Sequence, residues 1–264
     1  VTHMGGRLGM EIGAILWPLM VTLVIFAVLW PVSVHRHDAS LVDFWWGPGF
    51  LAQTLVAAYL AETMGSRSWL IVALVALWAL RLGFVLIRRR LHEGSEDPRY
   101  TALRRAWEPG FWWRSFFVVF MLQGFLQWLI AIGPIMGILS GPEPLSLLAW
   151  LGALVALGGL ALEARADHEL DLFKRANPRG LCDTGLRAHI RHPNYVGEIV
   201  FWSGIGLVVV EVSPWAALVS PALITLFLTQ VSGAPMLDER LSESRPSYAD
   251  YKARVPAFLP RLRQ

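Results

Sequence analysis

"RHPNYVGEIVFWSGIGLVVV", residues 191–210, is the stretch on which the fold turns. It begins with a basic, hydrogen-bonding cluster, Arg191, His192, Asn194 and Tyr195, and then runs into apolar residues with Glu198 as the lone charge. Pro193 suits the first turn of a helix, where its missing N–H is no loss and the next amides stay unpaired. Such a helix start, with free N–H groups and a positive dipole end, attracts phosphate.

The same alternation of polar mouths and apolar runs continues along the 264 residues, 55% of which are hydrophobic and 16% charged, with a mean hydropathy of +0.48. Soluble domains carry about 25% charged residues, so a soluble globular fold is excluded. Apolar windows near the ~20 residues that cross a bilayer core fall at 12–33, 46–62, 69–87, 115–139, 145–164, 196–212 and 214–231. Two of these are short or interrupted by Gly and Pro. Backbone groups left unpaired in lipid are too unfavourable for open strands, so the spans are helices. The expectation is an all-α, polytopic membrane protein: one domain over residues 1–264, a seven-transmembrane-helix bundle whose cytoplasmic loops form a cofactor pocket. The first window lacks a small-residue cleavage site and is too long for a signal-peptide core, so it is expected to stay as a helix.

The positive balance reports topology rather than nucleic-acid binding. With the N-terminus outside and the C-terminus in the cytoplasm, 20 of the 23 Lys and Arg fall on inside segments. Arg7 and Arg67 fall outside and Arg81 lies within a span. That asymmetry follows the positive-inside rule, and the expected location is a membrane, a bacterial inner membrane by the family resemblance set out below. One cysteine, Cys182, excludes an internal disulfide. The loop "RRRLHEGSEDPRYTALRRAWEPGFWWR" (residues 88–114) is cationic and rich in Trp, with "EDPRY" as a turn before a short helix. It reads equally as an interfacial anchor for anionic lipid headgroups and as part of a polyanion site.

Ionisable and strongly polar residues inside spans cost about 2.5–3.5 kcal/mol on insertion scales and mark functional interiors. The candidates are Asp43, Gln53, Tyr59, Arg81, Gln123, Gln127, Glu163, Asp167 and Glu198. Gln123 and Gln127, four apart, share a helix face and suit hydrogen bonding to a neighbouring helix. Arg81 suits snorkelling or a pair with Asp43 or Glu163. In "LEARADHELDLFKRANPRG" span five runs on as a charged helix. Glu163 and Asp167 share one face of it, with Lys174 and Arg179 further on; together they suit ribose hydroxyls and phosphate. No HExxH or Cys-His pattern supports a metal, and "SGIGLV" lacks the βαβ setting of a dinucleotide fingerprint.

"RHPNYVGEIVFWSGIGL" with "YADYKARVPAFLP" resembles the C-terminal domain of the steroid 5-alpha-reductase family and related bacterial membrane proteins of unassigned function, the DUF1295 type. "LVDFWWGPGF" and "LQGF" are similar to the same group, so the resemblance runs from about residue 40 to 260. It implies a bundle that binds NADPH from the cytoplasmic side and takes a lipophilic substrate from the membrane. Carried over by position, Glu163 and Asp167 resemble acceptors of cofactor hydroxyl or amide groups, and Lys174 and Arg179 its phosphate contacts. Asn194 and Glu198 match cofactor-pocket residues, Arg191, His192 and Tyr195 join them, and Arg81 resembles an arginine that reaches the cofactor. Glu239, Arg240 and Tyr251 lie where the family closes the pocket.

Two departures stand out. Animal steroid reductases polarise the substrate ketone with a span-two Glu and a span-three Tyr, whereas this chain has Gln53 and Tyr59 in span two and Trp78 in span three. "MLDERLSES" replaces their C-terminal histidine cluster. The expected activity is NADPH-dependent reduction of the C=C bond of an enone such as a Δ4-3-ketosteroid. Gln53 and Tyr59 would act as catalytic donors, and Asp43, Trp46, Trp78 and Gln123 would line the substrate. The shared "RHPxY…E" signature keeps an S-adenosylmethionine-dependent membrane methyltransferase as the alternative. A transporter or receptor lacks the internal repeat expected of it. Expected partners are a lipophilic small molecule and membrane lipids, with no nucleic acid and a monomer by default.

Overall fold

A computed structural model describes residues 2–93, 95–178 and 180–260, with side chains over 12–89, 95–178 and 180–260. Among the described residues every regular element is helical. The α-helices run α1 (Thr2–Arg36), α2 (Leu41–Phe44), α3 (Trp46–Leu60), α4 (Ser66–Glu93), α5 (Pro98–Trp107), α6 (Phe111–Ser115), α7 (Leu122–Leu139), α8 (Leu147–Ala176), α9 (Pro193–Val209), α10 (Pro214–Leu226), α11 (Ala234–Ser244) and α12 (Tyr248–Arg254). A π-helical turn, Phe116–Met121, joins α6 to α7, and another, Phe227–Val231, follows α10.

Among the described residues five helical stretches are long and apolar enough to cross a membrane: Ile12–Arg36, Ser66–Arg89, Phe111–Leu139, Leu147–Ala176 and Pro214–Ser244. The other two expected spans form shorter helices, 15 residues in α3 and 17 in α9. Seven apolar windows thus yield five helices of membrane-crossing length.

The chain gathers into two compact units. Unit 1 comprises Val1–Ser146 with Glu211–Ala216, and unit 2 comprises Leu147–Val210 with Ala217–Gln264. In unit 1, α3 is enclosed by α1, α4 and α7. Its glycines permit that: a Cβ on Gly47 would lie 2.6 Å from the Ala79 carbonyl, and one on Gly49 would strike the Gln127 side chain. Phe26, Ala39, Val42, Tyr100, Phe111, Val119 and Phe120 form a core beside them.

Unit 2 is built on the seam between α8 and α9. Backbone meets backbone there at Gly152, Gly159, Gly197 and Gly204, where any Cβ would fall within 3 Å of the opposite main chain. Small residues allow this approach when apolar burial alone does not drive helices together. A second core of Tyr248, Tyr251 and Val255 secures the C-terminal segment.

Candidate functional site

In unit 1 a polar network converges on Tyr100, which α5 presents. Asp97 caps that helix by accepting the Arg99 N–H at 2.9 Å, with Pro98 in the first turn. The α5 start is clamped to the turn before α2. The Asp97 N–H donates to Ser40 Oγ at 2.7 Å, and the Ala39 N–H donates to Glu96 Oε1 at 2.8 Å. Arg104 reaches the same Glu96 at 2.8 Å. Burial raises the Glu96 carboxyl, but the donors from Arg104 and Ala39 win and hold it below its ordinary value. Asp97 is lowered likewise, the donors on Arg99 outweighing burial.

Clamped this way, Tyr100 donates its hydroxyl to Asp43 Oδ1 at 2.7 Å, while Arg99 Nη2 donates to Asp43 Oδ2 at 2.8 Å. Gln123 Nε2 donates to the Tyr100 oxygen at 3.2 Å, and Trp46 Nε1 donates to Gln123 Oε1 at 2.7 Å. Burial pushes the Asp43 carboxyl above its ordinary value despite Arg99 and Tyr100. Burial and the Asp43 charge push the Tyr100 phenol well above its own. A carboxyl raised by burial thus accepts from a phenol that resists losing its proton. Such a pair can present an O–H to an electron-rich oxygen and refill it from behind.

The structure therefore brings Asp43, Trp46 and Gln123 together, around a tyrosine and an arginine outside the expected set. Trp78 lies nearby in α4, buried and edge-on to Phe50 at 5.3 Å, and Arg81 is half-buried one turn further. Gln53 and Tyr59 do not join the network. Tyr59 is 88% exposed on α3. Gln127 donates to the Trp45 and Trp46 carbonyls, at 3.2 and 2.9 Å, so its oxygen faces Gln53, whose Nε2 donates to it at 3.1 Å. Gln53 Oε1 is left buried with no hydrogen-bond partner. What this residue has to offer is an acceptor, where the sequence suggested a donor.

In unit 2, Arg191 and His192 face inward. Arg191 Nη2 donates to Asp238 Oδ2 at 2.7 Å, and its Nη1 donates to the Val255 carbonyl at 2.6 Å. His192 Nε2 meets Asp238 Oδ1 at 2.8 Å, and the Tyr248 hydroxyl donates to the same oxygen. Burial and Asp238 push the Tyr248 phenol upward. Main-chain bonds from Arg191 N to the Pro256 carbonyl and from His192 N to the Ala257 carbonyl complete a strap across the start of α9. Arg191 and His192, expected beside the cofactor, thus bind Asp238 and the C-terminal segment. Tyr251 belongs to the same closure: it is buried, donates to the Arg187 carbonyl at 2.7 Å, and is pushed up to about 12, chiefly by burial.

The remaining expected cofactor residues line the α8–α9 face or the surface. Glu163 is buried, Asp167, Asn194, Tyr195 and Glu198 are half-buried, and Lys174, Glu239 and Arg240 are exposed. The Tyr195 ring stacks on His192 at 5.3 Å. Arg179 lies outside the described residues. Tyr100 had a signal in "EDPRY", which marked a turn; Asp238 had only its place in "MLDERLSES".

Five long apolar helices and a buried polar interior define a multi-pass membrane protein. The family described as "Protein of unknown function (DUF1295)" matches residues 29–255, and the chain belongs to that family. It is also similar to an uncharacterized protein of Schizosaccharomyces pombe, 26% identical over 278 residues, which cover 92% of this chain and 79% of that protein. No solved structure matches the chain.

Proposed function

We propose that the protein reduces the C=C bond of a lipophilic enone, such as a Δ4-3-ketosteroid, with NADPH as the reductant. The observation that carries this reading is the Asp43–Tyr100–Gln123–Trp46 network. It supplies the donor that the departures from the steroid 5-alpha-reductase pattern had left open. When Asp43 holds a proton, Oδ1–H donates to the Tyr100 oxygen and frees the Tyr100 O–H to meet the substrate carbonyl. Charge that builds on that carbonyl oxygen is stabilised by a preorganised donor in a dry site. Gln123, fixed by Trp46, keeps the phenol in place. As the reaction completes, Tyr100 Oη passes its proton to the enolate oxygen and recovers one from Asp43, which is reloaded from water; tautomerisation of the enol then puts a proton on the α-carbon and leaves the saturated ketone.

The donor set of unit 2 fits a nicotinamide dinucleotide. Glu163, Asp167 and Glu198 offer acceptors for ribose hydroxyls and the carboxamide, Asn194 and Tyr195 offer neutral donors, and Lys174 offers an ammonium for phosphate. The bound cofactor supplies the hydride. The proposed topology takes α3 and α9 as the sixth and seventh spans, with the N-terminus outside and this face of unit 2 in the cytoplasm, a reading the Lys and Arg distribution supports.

The first test is thermal unfolding of the detergent-purified protein with NADPH, NADH and S-adenosylmethionine, because a ligand of the folded state raises its stability by mass action. Stabilisation by NADPH, followed by enone-dependent loss of nicotinamide absorbance, is expected. Stabilisation by S-adenosylmethionine alone would overturn the proposal in favour of methyl transfer.

A further inference from the structure

At the end of α4 remote from the Tyr100 network, unit 1 contains a cleft of about 480 Å³. Its lining includes Arg67, the loop around Glu143 and Pro144, and the segment at Glu211. Arg67 is only 3% exposed. Its Nη2 donates to Glu211 Oε2 at 2.7 Å and to the Pro144 carbonyl at 3.2 Å. Its Nε and Nη1 are buried and have no partner in the protein. A guanidinium cannot shed its charge or accept a hydrogen bond, and a buried donor left unmet is unfavourable. Those two nitrogens therefore call for acceptor oxygens from outside the chain. Glu211 does not supply them: its Oε2 already receives both Arg67 Nη2 and the Ser146 hydroxyl.

The charge of the lining narrows the occupant. Arg67 faces two carboxylates, Glu143 and Glu211, so the cleft is negative overall and a plain anion would add to the excess. A group with both a phosphate and an ammonium matches it, with the ammonium against the exposed Glu143. Depth points to a lipid as the source. Trp69 and Trp215, two residues beyond Arg67 and four beyond Glu211, are 60% and 57% exposed. Exposed indoles on membrane helices gather at the headgroup level.

We propose that this cleft binds the headgroup of an amine-bearing phospholipid, with phosphate oxygens on Arg67 Nε and Nη1 and the ammonium on Glu143. The site is independent of the reductase reading. The test uses the full chain, purified and delipidated in detergent, heated with short-chain phosphatidylethanolamine, phosphatidylcholine or phosphatidylglycerol, or with free phosphoethanolamine. Phosphatidylethanolamine is expected to raise the unfolding temperature by a few degrees more than the other two lipids. Glu143→Gln should leave the lipid-free unfolding temperature unchanged and erase the advantage of ethanolamine over choline. Equal shifts from all three lipids, or an ethanolamine preference that survives in Glu143→Gln, would overturn the proposal. A shift from free phosphoethanolamine as large as the lipid's would assign the cleft to a soluble solute and overturn the lipid.

Discussion

Asp43 in unit 1 and Asp238 in unit 2 are built from the same parts, each a carboxylate held by an arginine and a tyrosine. Their neighbours set them apart. Asp238 also takes His192, and its Arg191 partner reaches on to the Val255 carbonyl, so the cluster ties the start of α9 to the C-terminal segment. Asp43 takes two donors, and its tyrosine accepts from Gln123, which leads on to Trp46 at the edge of an apolar helix. A saturated carboxylate holds structure together. Asp43, linked through Tyr100 and Gln123 to Trp46, is where the proposed reduction would draw its proton.

The sharpest way to break this contrast is Asp238→Ala, which strands Arg191 and His192 in the interior. A loss of about 3–5 kcal/mol is expected for removing one partner of a buried charge cluster, read as a lowered denaturant midpoint. Tyr100→Phe should differ in kind: it leaves Asp43 Oδ1 and Gln123 Nε2 short of a partner, a loss of about 1–3 kcal/mol, but enone turnover should fall by about 10²–10⁴-fold, the range for a lost general acid. Unchanged turnover in that variant would make the two aspartates alike. A smaller effect separates the two glutamines beside the network. Gln127→Met leaves the Trp45 and Trp46 carbonyls unmet and should cost about 1–3 kcal/mol. Gln53→Met leaves Gln127 Oε1 without its donor but also removes an acceptor that has no partner, so it should cost less, as paired thermal melts would show.

The smallest effect is on pH dependence. Glu96 has a lowered pKa, so the stability it contributes is present above its ordinary 4.5 and is lost as pH falls through the lowered value. Asp43 is raised and behaves oppositely, its contribution fading as pH rises. Unfolding temperatures should therefore drop in acid, and Glu96→Gln should shallow that drop.

Sequence made the long helices legible because bilayer thickness imposes a length that apolar runs display directly. It also disclosed the charged extension of α8 and Pro193 at the start of α9, both local signals. The grouping of Asp43, Trp46 and Gln123 was partly legible, since polar residues in apolar spans must turn inward. Tyr100 was not, because it reaches Asp43 from 57 residues away through a cationic loop that reads just as well as a headgroup anchor. The inward turn of Arg191 and His192 was hidden for a related reason. A basic cluster at a helix start looks the same whether its partner is a phosphate or an aspartate 46 residues downstream.

The glycine seam of unit 2 bears on how the protein is made. With 17 residues at ~1.5 Å each, α9 falls short of the ~30 Å hydrocarbon core. The 30-residue α8 does not. On the seven-span reading proposed above, α9 would be a poor free-standing insert and would enter the bilayer only as the second arm of a hairpin packed on α8. A bulky residue at Gly159 or Gly204 would then be felt first as failed biogenesis, with nascent chain lost to quality control before any ligand is met.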